Sequence, residues 1–183
     1  MATILPGTTI EVAQLKNGSS RQMFDGIFAA GGITLSQVSV MTGLEPYHIQ
    51  NWVKRGYVSP PQKRQYSKNQ FARIVIINML RETLQIDRIC GLLGYINGKL
   101  YDESDDLIDD SELYHMYTDM IASKGVSGNE QTVIAAAEDA VSGYNEPIPG
   151  AKSRLIKILQ VMTYAHYASL YRKQAEELLS TLQ

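Results

Sequence analysis

The sequence predicts an all-α fold, and three observations carry that prediction. Two capping boxes, Thr34-Leu-Ser-Gln37 and Ser67-Lys-Asn-Gln70, each open a run of apolar residues at helical spacing. Beyond residue 95 apolar positions recur every three or four residues almost to the last residue. Glycine and proline gather at the joints between these runs, at Gly43, Pro46, Pro60-Pro61 and from Gly143 to Gly150.

Composition narrows the class. With 183 residues, 44% hydrophobic and 20% charged, the chain can bury a core and is not a disordered segment. One cysteine, Cys90, excludes an intrachain disulfide framework and any multi-cysteine zinc site. No stretch approaches the ~20 apolar residues of a membrane span, and the opening residues lack a basic segment followed by an apolar run. The expectation is a reduced, soluble, cytoplasmic protein that makes no membrane contact and carries no cofactor. Its net charge of −2 conceals an asymmetry. From Gln50 to Cys90 the eight cations Lys54, Arg55, Lys63, Arg64, Lys68, Arg73, Arg81 and Arg88 face only Glu82 and Asp87. From Asp102 to Asp119 there are eight acids and no lysine or arginine. A basic module joined to an acidic one implies that only the first meets a polyanion.

Residues 1–32 read as a loose arm rich in Pro, Gly, Thr and Ser, followed by one short amphipathic helix through Met23, Phe24, Ile27 and Phe28. Residues 33–94 carry the sharpest local grammar. Ile33 and Val38 flank the first capping box as a hydrophobic staple, and Gly43 is placed to end that helix in the left-handed conformation. Pro46 then opens a second helix that packs through Ile49, Trp52 and Val53. Tyr47, Asn51 and Lys54 fall on its opposite face, flanked by His48, Gln50 and Arg55. Pro60-Pro61 forbids helix next, leaving extended chain around a basic turn. The second capping box, stapled by Tyr66 and Phe71, opens a helix running toward Leu84, and Ile86, Ile89, Cys90 and Leu93 make a short helix stopped near Gly94.

Residues 95–183 read as a helical C-terminal domain for effector binding or dimerisation. Leu113, Met116, Tyr117, Met120 and Ile121 form one face, and Val133, Ile134, Ala137, Ala140 and Val141 another. The last helix, from about Lys152 to Leu182, has two stripes: Leu155, Ile158, Leu159, Met162 and His166 on one side, Tyr164, Tyr167, Tyr171, Leu178 and Leu182 on the other.

Two short helices joined by a tight glycine turn, a basic proline-bounded turn and a further helix follow the order of a winged helix-turn-helix. The recognition helix is placed at about 46–55 and a short basic wing at 59–66. Tyr47, His48, Gln50 and Asn51 face bases, while Lys54, Arg55, Lys63, Arg64 and Lys68 meet phosphates of double-stranded DNA. Other signals reduce to structure. An EF-hand loop begun at Asp102 would need glycine at Leu107 and a bidentate glutamate at Leu113. His115 and Asp119 are two ligands only, and no metal site is expected. Trp52, Cys90 and His166 lie on apolar faces and read as core. No nucleophile motif or phosphate-binding glycine loop stands out, so no catalytic residue is assigned and no enzyme is expected.

Residues 33–94 also resemble the DNA-binding domain of MerR-type regulators. Thr34-x-x-Gln37 running to Thr42-Gly43, the Pro46 helix with Trp52, Gly56-Tyr57-Val58 ahead of Pro60-Pro61, and Tyr66-Ser67 carry the resemblance. The segment is closest to a bacterial MerR-like domain group of unknown function. That resemblance implies a transcriptional regulator that binds operator DNA as a dimer and senses its signal through the C-terminal region. Where MerR-type recognition helices carry arginine, this chain has Tyr47 and Gln50. The missing cations favour one alternative: an adaptor that keeps the helix-turn-helix scaffold and binds protein. A homodimer through the tyrosine-leucine stripe, and a small-molecule or protein effector, with a pocket among Tyr114, Tyr117, Tyr144 and Tyr164, complete the expectations.

Overall fold

Chain order brings first a hairpin that composition did not announce. In the computed structural model, which describes residues 3–98, 100, 106–123, 126 and 129–182, β1 (Thr3–Ile4) pairs antiparallel with β2 (Glu11–Val12). The loop between them is not loose. Leu5 is fully buried, Thr9 N–H donates to the Met41 carbonyl at 2.8 Å, and the Tyr114 hydroxyl donates to the Pro6 carbonyl at 2.8 Å. Gly7 sits with φ near 75°, and a Cβ there would lie 2.4 Å from the Val75 carbonyl oxygen. That approach requires glycine.

α1 (Ser19–Ile27) follows, with Phe24 fully buried. Thr34 and Gln37 complete the first capping box of α2 (Leu35–Thr42), and Gly43 ends it at φ 69°. α3 (Pro46–Lys54) starts on Pro46 and buries Ile49 and Trp52. Ser67 and Gln70 cap α4 (Lys68–Leu80) in the same reciprocal way. Just ahead of the two caps, β3 (Ile33–Thr34) and β4 (Gln65–Tyr66) pair antiparallel, which holds the starts of α2 and α4 together. α5 (Ile86–Asn97) passes the expected stop at Gly94 by three residues. α6 (Asp110–Ala122), α7 (Glu130–Ala140) and α8 (Ala151–Ser180) complete the eight helices among the described residues. The prediction of an all-α protein holds, with strands of two residues each.

α4 organises the whole. Its run Phe-Ala-Arg-Ile-Val-Ile-Ile, 71–77, is apolar on every side except at Arg73, and all seven residues are buried. A helix apolar all round has to be surrounded, and α4 contacts α2, α5, α6 and α8. One cluster of buried side chains therefore runs from Phe24 through Trp52, Phe71 and Leu93 to Leu113, Tyr117, Leu159 and Ala165. It has no seam at residue 94, where the sequence places a domain boundary. Patterning within helices shows which face is buried but not which helix will bury it.

Polar contacts inside this core fix the packing. Ser20 on α1 lies 2.8 Å from His115 Nδ1 and 2.6 Å from Thr118 Oγ1 on α6, and the Thr118 hydroxyl donates to the His115 carbonyl. With that proton committed, Ser20 donates to Thr118 and His115 Nδ1–H donates to Ser20, leaving Nε2 as a bare, buried acceptor. No helix among the described residues is long and apolar enough to cross a membrane.

Candidate nucleic-acid interface

The polar side of α3 is open. Tyr47 is 62% exposed, Gln50, Asn51, Lys54 and Arg55 are exposed, and His48 is half-buried with its ring 4.0 Å from that of Tyr47. The cause is the burial of Ile49 and Trp52 on the other side, which fixes the rotation of the helix. Arg55 lies over the Tyr57 ring at 5.3 Å, so the end of α3 presents a cation held on an aromatic face.

The basic turn predicted after α3 is a tight hairpin tip. Gln65 N–H donates to the Gln62 carbonyl at 2.8 Å, and the two residues between, Lys63 and Arg64, have φ of 49° and 64°. Positive φ at both central positions is the type I′ pattern, which normally selects Asn-Gly. Here two β-carbon-bearing cations occupy it, both exposed.

Besides Arg55 on Tyr57, three more of the eight cations counted along the sequence are engaged within the fold. Lys68, read above as a phosphate contact, pairs with Asp25 at 2.9 Å at the surface. Arg73 is buried: Nε donates to the Tyr57 carbonyl at 2.7 Å and Nη1 to Asp110 at 3.0 Å. Arg81 rests over the Trp52 ring at 5.9 Å. The acidic stretch is likewise structural where it is described, although residues 102–105 lie outside the described residues, as do 125, 127 and 128. Asp110 neutralises Arg73 and accepts from Asn97 at 3.0 Å, Glu112 holds Arg21 through both oxygens, and Asp119 accepts the Gly18 N–H at 2.7 Å. Burial pushes the Asp110 carboxyl upward against the pull of Arg73, whereas Arg21 draws that of Glu112 down. Among the described residues the two halves of opposite charge thus meet through one nearly buried ion pair, Arg73–Asp110. The sequence signal for this was Arg73 alone inside an apolar run.

The tyrosine pocket does not form. Tyr114 and Tyr117 are fully buried core residues, Tyr144 donates its hydroxyl to the Leu107 carbonyl, and Tyr164 faces outward. No group of three or more metal-ligating side chains occurs among the described residues.

Residues 32–117 match the family described as a domain of unknown function, DUF1836. The matched span starts just before Ile33 and reaches Tyr117 on α6, so it contains both partners of the Arg73–Asp110 pair. No curated protein and no solved structure matches the chain.

Proposed function

We propose that this chain is a DNA-binding regulator in which α2, α3 and the 59–66 hairpin act as a winged helix-turn-helix. The observation that carries the reading is the Lys63–Arg64 tip. Left-handed backbone costs a β-carbon-bearing residue roughly 1–2 kcal/mol, and strain of that kind collects where it serves a contact. A tip of two cations beside an open helix face suits a phosphate backbone on one side and base edges on the other. Tyr47, Gln50 and Asn51 are the base-reading candidates, with the His48 ring tilted against that of Tyr47; Lys54, Arg55, Lys63 and Arg64 supply charge. Lys68 contributes only by leaving Asp25.

Fluorescence anisotropy with duplex fragments selected from a genomic pool at two ionic strengths tests this. Affinity should fall steeply with salt, and Lys63→Ala/Arg64→Ala should flatten the log–log slope by about 2. Asn51→Ala should relax sequence preference instead. A double variant that binds with the parental slope removes the wing from the interface.

One observation favours the adaptor reading: Val40 on α2 is 72% exposed and, with Tyr47, gives this helix pair apolar surface that phosphates do not use. Capture of one stoichiometric protein, with no salt-sensitive DNA association, would select it. A homodimer accompanies the DNA reading, because paired half-sites need paired modules. It is supported by the outward stripe of α8, where Tyr164, Tyr171, Leu178 and Leu182 are all exposed.

A further inference from the structure

A cavity of about 260 Å³ opens where four segments meet. Its walls include Thr8 in the β1–β2 loop, Thr42 ending α2, Asn78 near the end of α4, Arg81 in the turn that follows, and His166 and Lys173 on α8. The lining is largely polar, which excludes an apolar effector. The volume falls below the ~300–1,000 Å³ of drug-sized sites, so the occupant is a small metabolite.

The charged lining is Arg81 and Lys173 against the single carboxylate of Glu82. The Glu82 carboxylate already accepts the Ser169 hydroxyl and is paired with Lys173 at 3.1 Å and Arg172 at 3.5 Å. Arg81 has no carboxylate partner among the described residues; it donates only Nε, to Asn78 Oδ1 at 2.9 Å. Its four remaining N–H groups are suited to a planar oxyanion. His166 adds a neutral donor. Its Nδ1 lies 2.5 Å from the hydroxyl of Tyr117, a fully buried phenol whose single proton is satisfied by donating to that nitrogen. The ring proton then sits on Nε2. Burial holds the imidazole pKa at about 4, so the ring is uncharged at neutral pH.

We propose that this cavity binds a small hydrophilic anion carrying carboxylate or phosphate groups, gripped by Arg81 and Lys173 with the His166 Nε2–H as a third donor. The site is wired to α3. Asn78 Nδ2 donates to the Gly7 carbonyl at 3.0 Å and to the Thr42 carbonyl at 2.9 Å, while its Oδ1 receives Arg81. Thr42 immediately precedes the Gly43 turn into α3. An anion that draws Arg81 inward takes the guanidinium off Trp52, the side chain that seats α3 in the core. The effect on DNA affinity rests on the DNA-binding reading, whereas occupancy of the cavity does not.

Trp52 is the only tryptophan in the chain, so its emission reports on Arg81 directly. Citrate, succinate, inorganic phosphate and glucose 6-phosphate are titrated into the full chain without DNA, with chloride holding ionic strength constant. At least one should give a saturable change in Trp52 emission and a raised Tm. Lys173→Gln, which leaves Arg81 over the indole, should weaken that response about tenfold. Arg81→Gln should abolish the rise in Tm, and Arg154→Gln, on another face against Tyr95, should respond as the parent does. The proposal fails if none of the four anions gives a saturable response, or if Lys173→Gln titrates like the parent. Repeating the DNA anisotropy with and without the active anion separates the two readings: a chain that takes the anion but ignores DNA sinks the DNA-binding reading alone.

Discussion

Arg73 and Asp110 are nearly buried, and neither has water to fall back on if the other is lost. Asp110→Ala leaves the guanidinium with one backbone carbonyl, and unfolding by urea should show a loss of about 3–5 kcal/mol. Arg73→Met/Asp110→Leu should recover much of that loss, since no orphaned charge remains; equal losses in the single and double variants would show that the pair is not the cause. Two histidines set a second residue-level expectation. Burial holds His115 and His166 at pKa values of about 4, against an ordinary value of 6.5. Arg21 and Lys68 add to the shift at His115, with Glu112 and Asp25 opposing; Lys173 adds to it at His166, with Glu82 opposing. Both rings are therefore neutral when folded, while the unfolded chain takes up protons as pH falls through 6.5. Stability is whole above that value and declines down to about pH 4, by up to about 3 kcal/mol for His115 and less for the half-buried His166. Urea midpoints measured between pH 7 and 4.5 should trace this decline, and His115→Asn should flatten it whatever its own stability. A flat parental profile would mean that the rings are not held neutral.

At the scale of elements, the Lys63–Arg64 turn couples stability to function. Replacing it by Asn-Gly supplies the residues that the backbone conformation prefers. Thermal unfolding of Lys63→Asn/Arg64→Gly should show a gain of about 1 kcal/mol or more, with a DNA salt slope flatter by about 2. A variant that loses stability would show that the turn is not strained. The same element shows what was legible in sequence and what was not. Pro60-Pro61 and the two capping boxes dictate where helices stop and start, because those signals act over three or four residues. The spacing of Ile49, Trp52 and Val53 likewise fixes the rotation of α3, and with it the exposure of Asn51 and Lys54. The handedness at Lys63 and Arg64 was not legible, since nothing in either side chain asks for positive φ; the turn is closed by the Gln62–Gln65 bridge, and Gln65 is paired in turn with Thr34 from much earlier in the chain. The docking of the β1–β2 loop was hidden for the same reason, as its partners Met41, Val75 and Tyr114 are distant in sequence. The cavity between the β1–β2 loop, the end of α2, the end of α4 with its turn, and α8 takes two, one, four and four residues from them, so no local pattern marks it.

For the whole molecule, the unresolved demand is the outer side of α8. Val161, Tyr164, Ala168, Tyr171, Ala175, Leu178 and Leu182 follow alternating steps of three and four, and every one is exposed, Leu182 at 81%. Strict 3–4 spacing is the seam of a two-stranded coiled coil, with Val161, Ala168, Ala175 and Leu182 at one core position and Tyr164, Tyr171 and Leu178 at the other. Side-chain volume then decides the orientation of the dimer proposed above. Two parallel copies would set tyrosine against tyrosine and alanine against alanine, overfilled layers alternating with empty ones. In an antiparallel pair the two core positions face each other across the seam. Tyr171 then lies over Ala168 of the partner subunit, Tyr164 over Ala175 of the partner subunit, and Leu178 over Val161 of the partner subunit. All three layers share one register centred between Ser169 and Leu170. In a Cys90→Ser background, chains carrying Ala168→Cys mixed with chains carrying Tyr171→Cys should oxidise to the mixed dimer, whereas Ala168→Cys alone should crosslink poorly. Efficient crosslinking of Ala168→Cys to itself would reverse the orientation. Sedimentation as a monomer at micromolar concentration, with Tyr171→Glu as stable as the parent, would remove the dimer altogether.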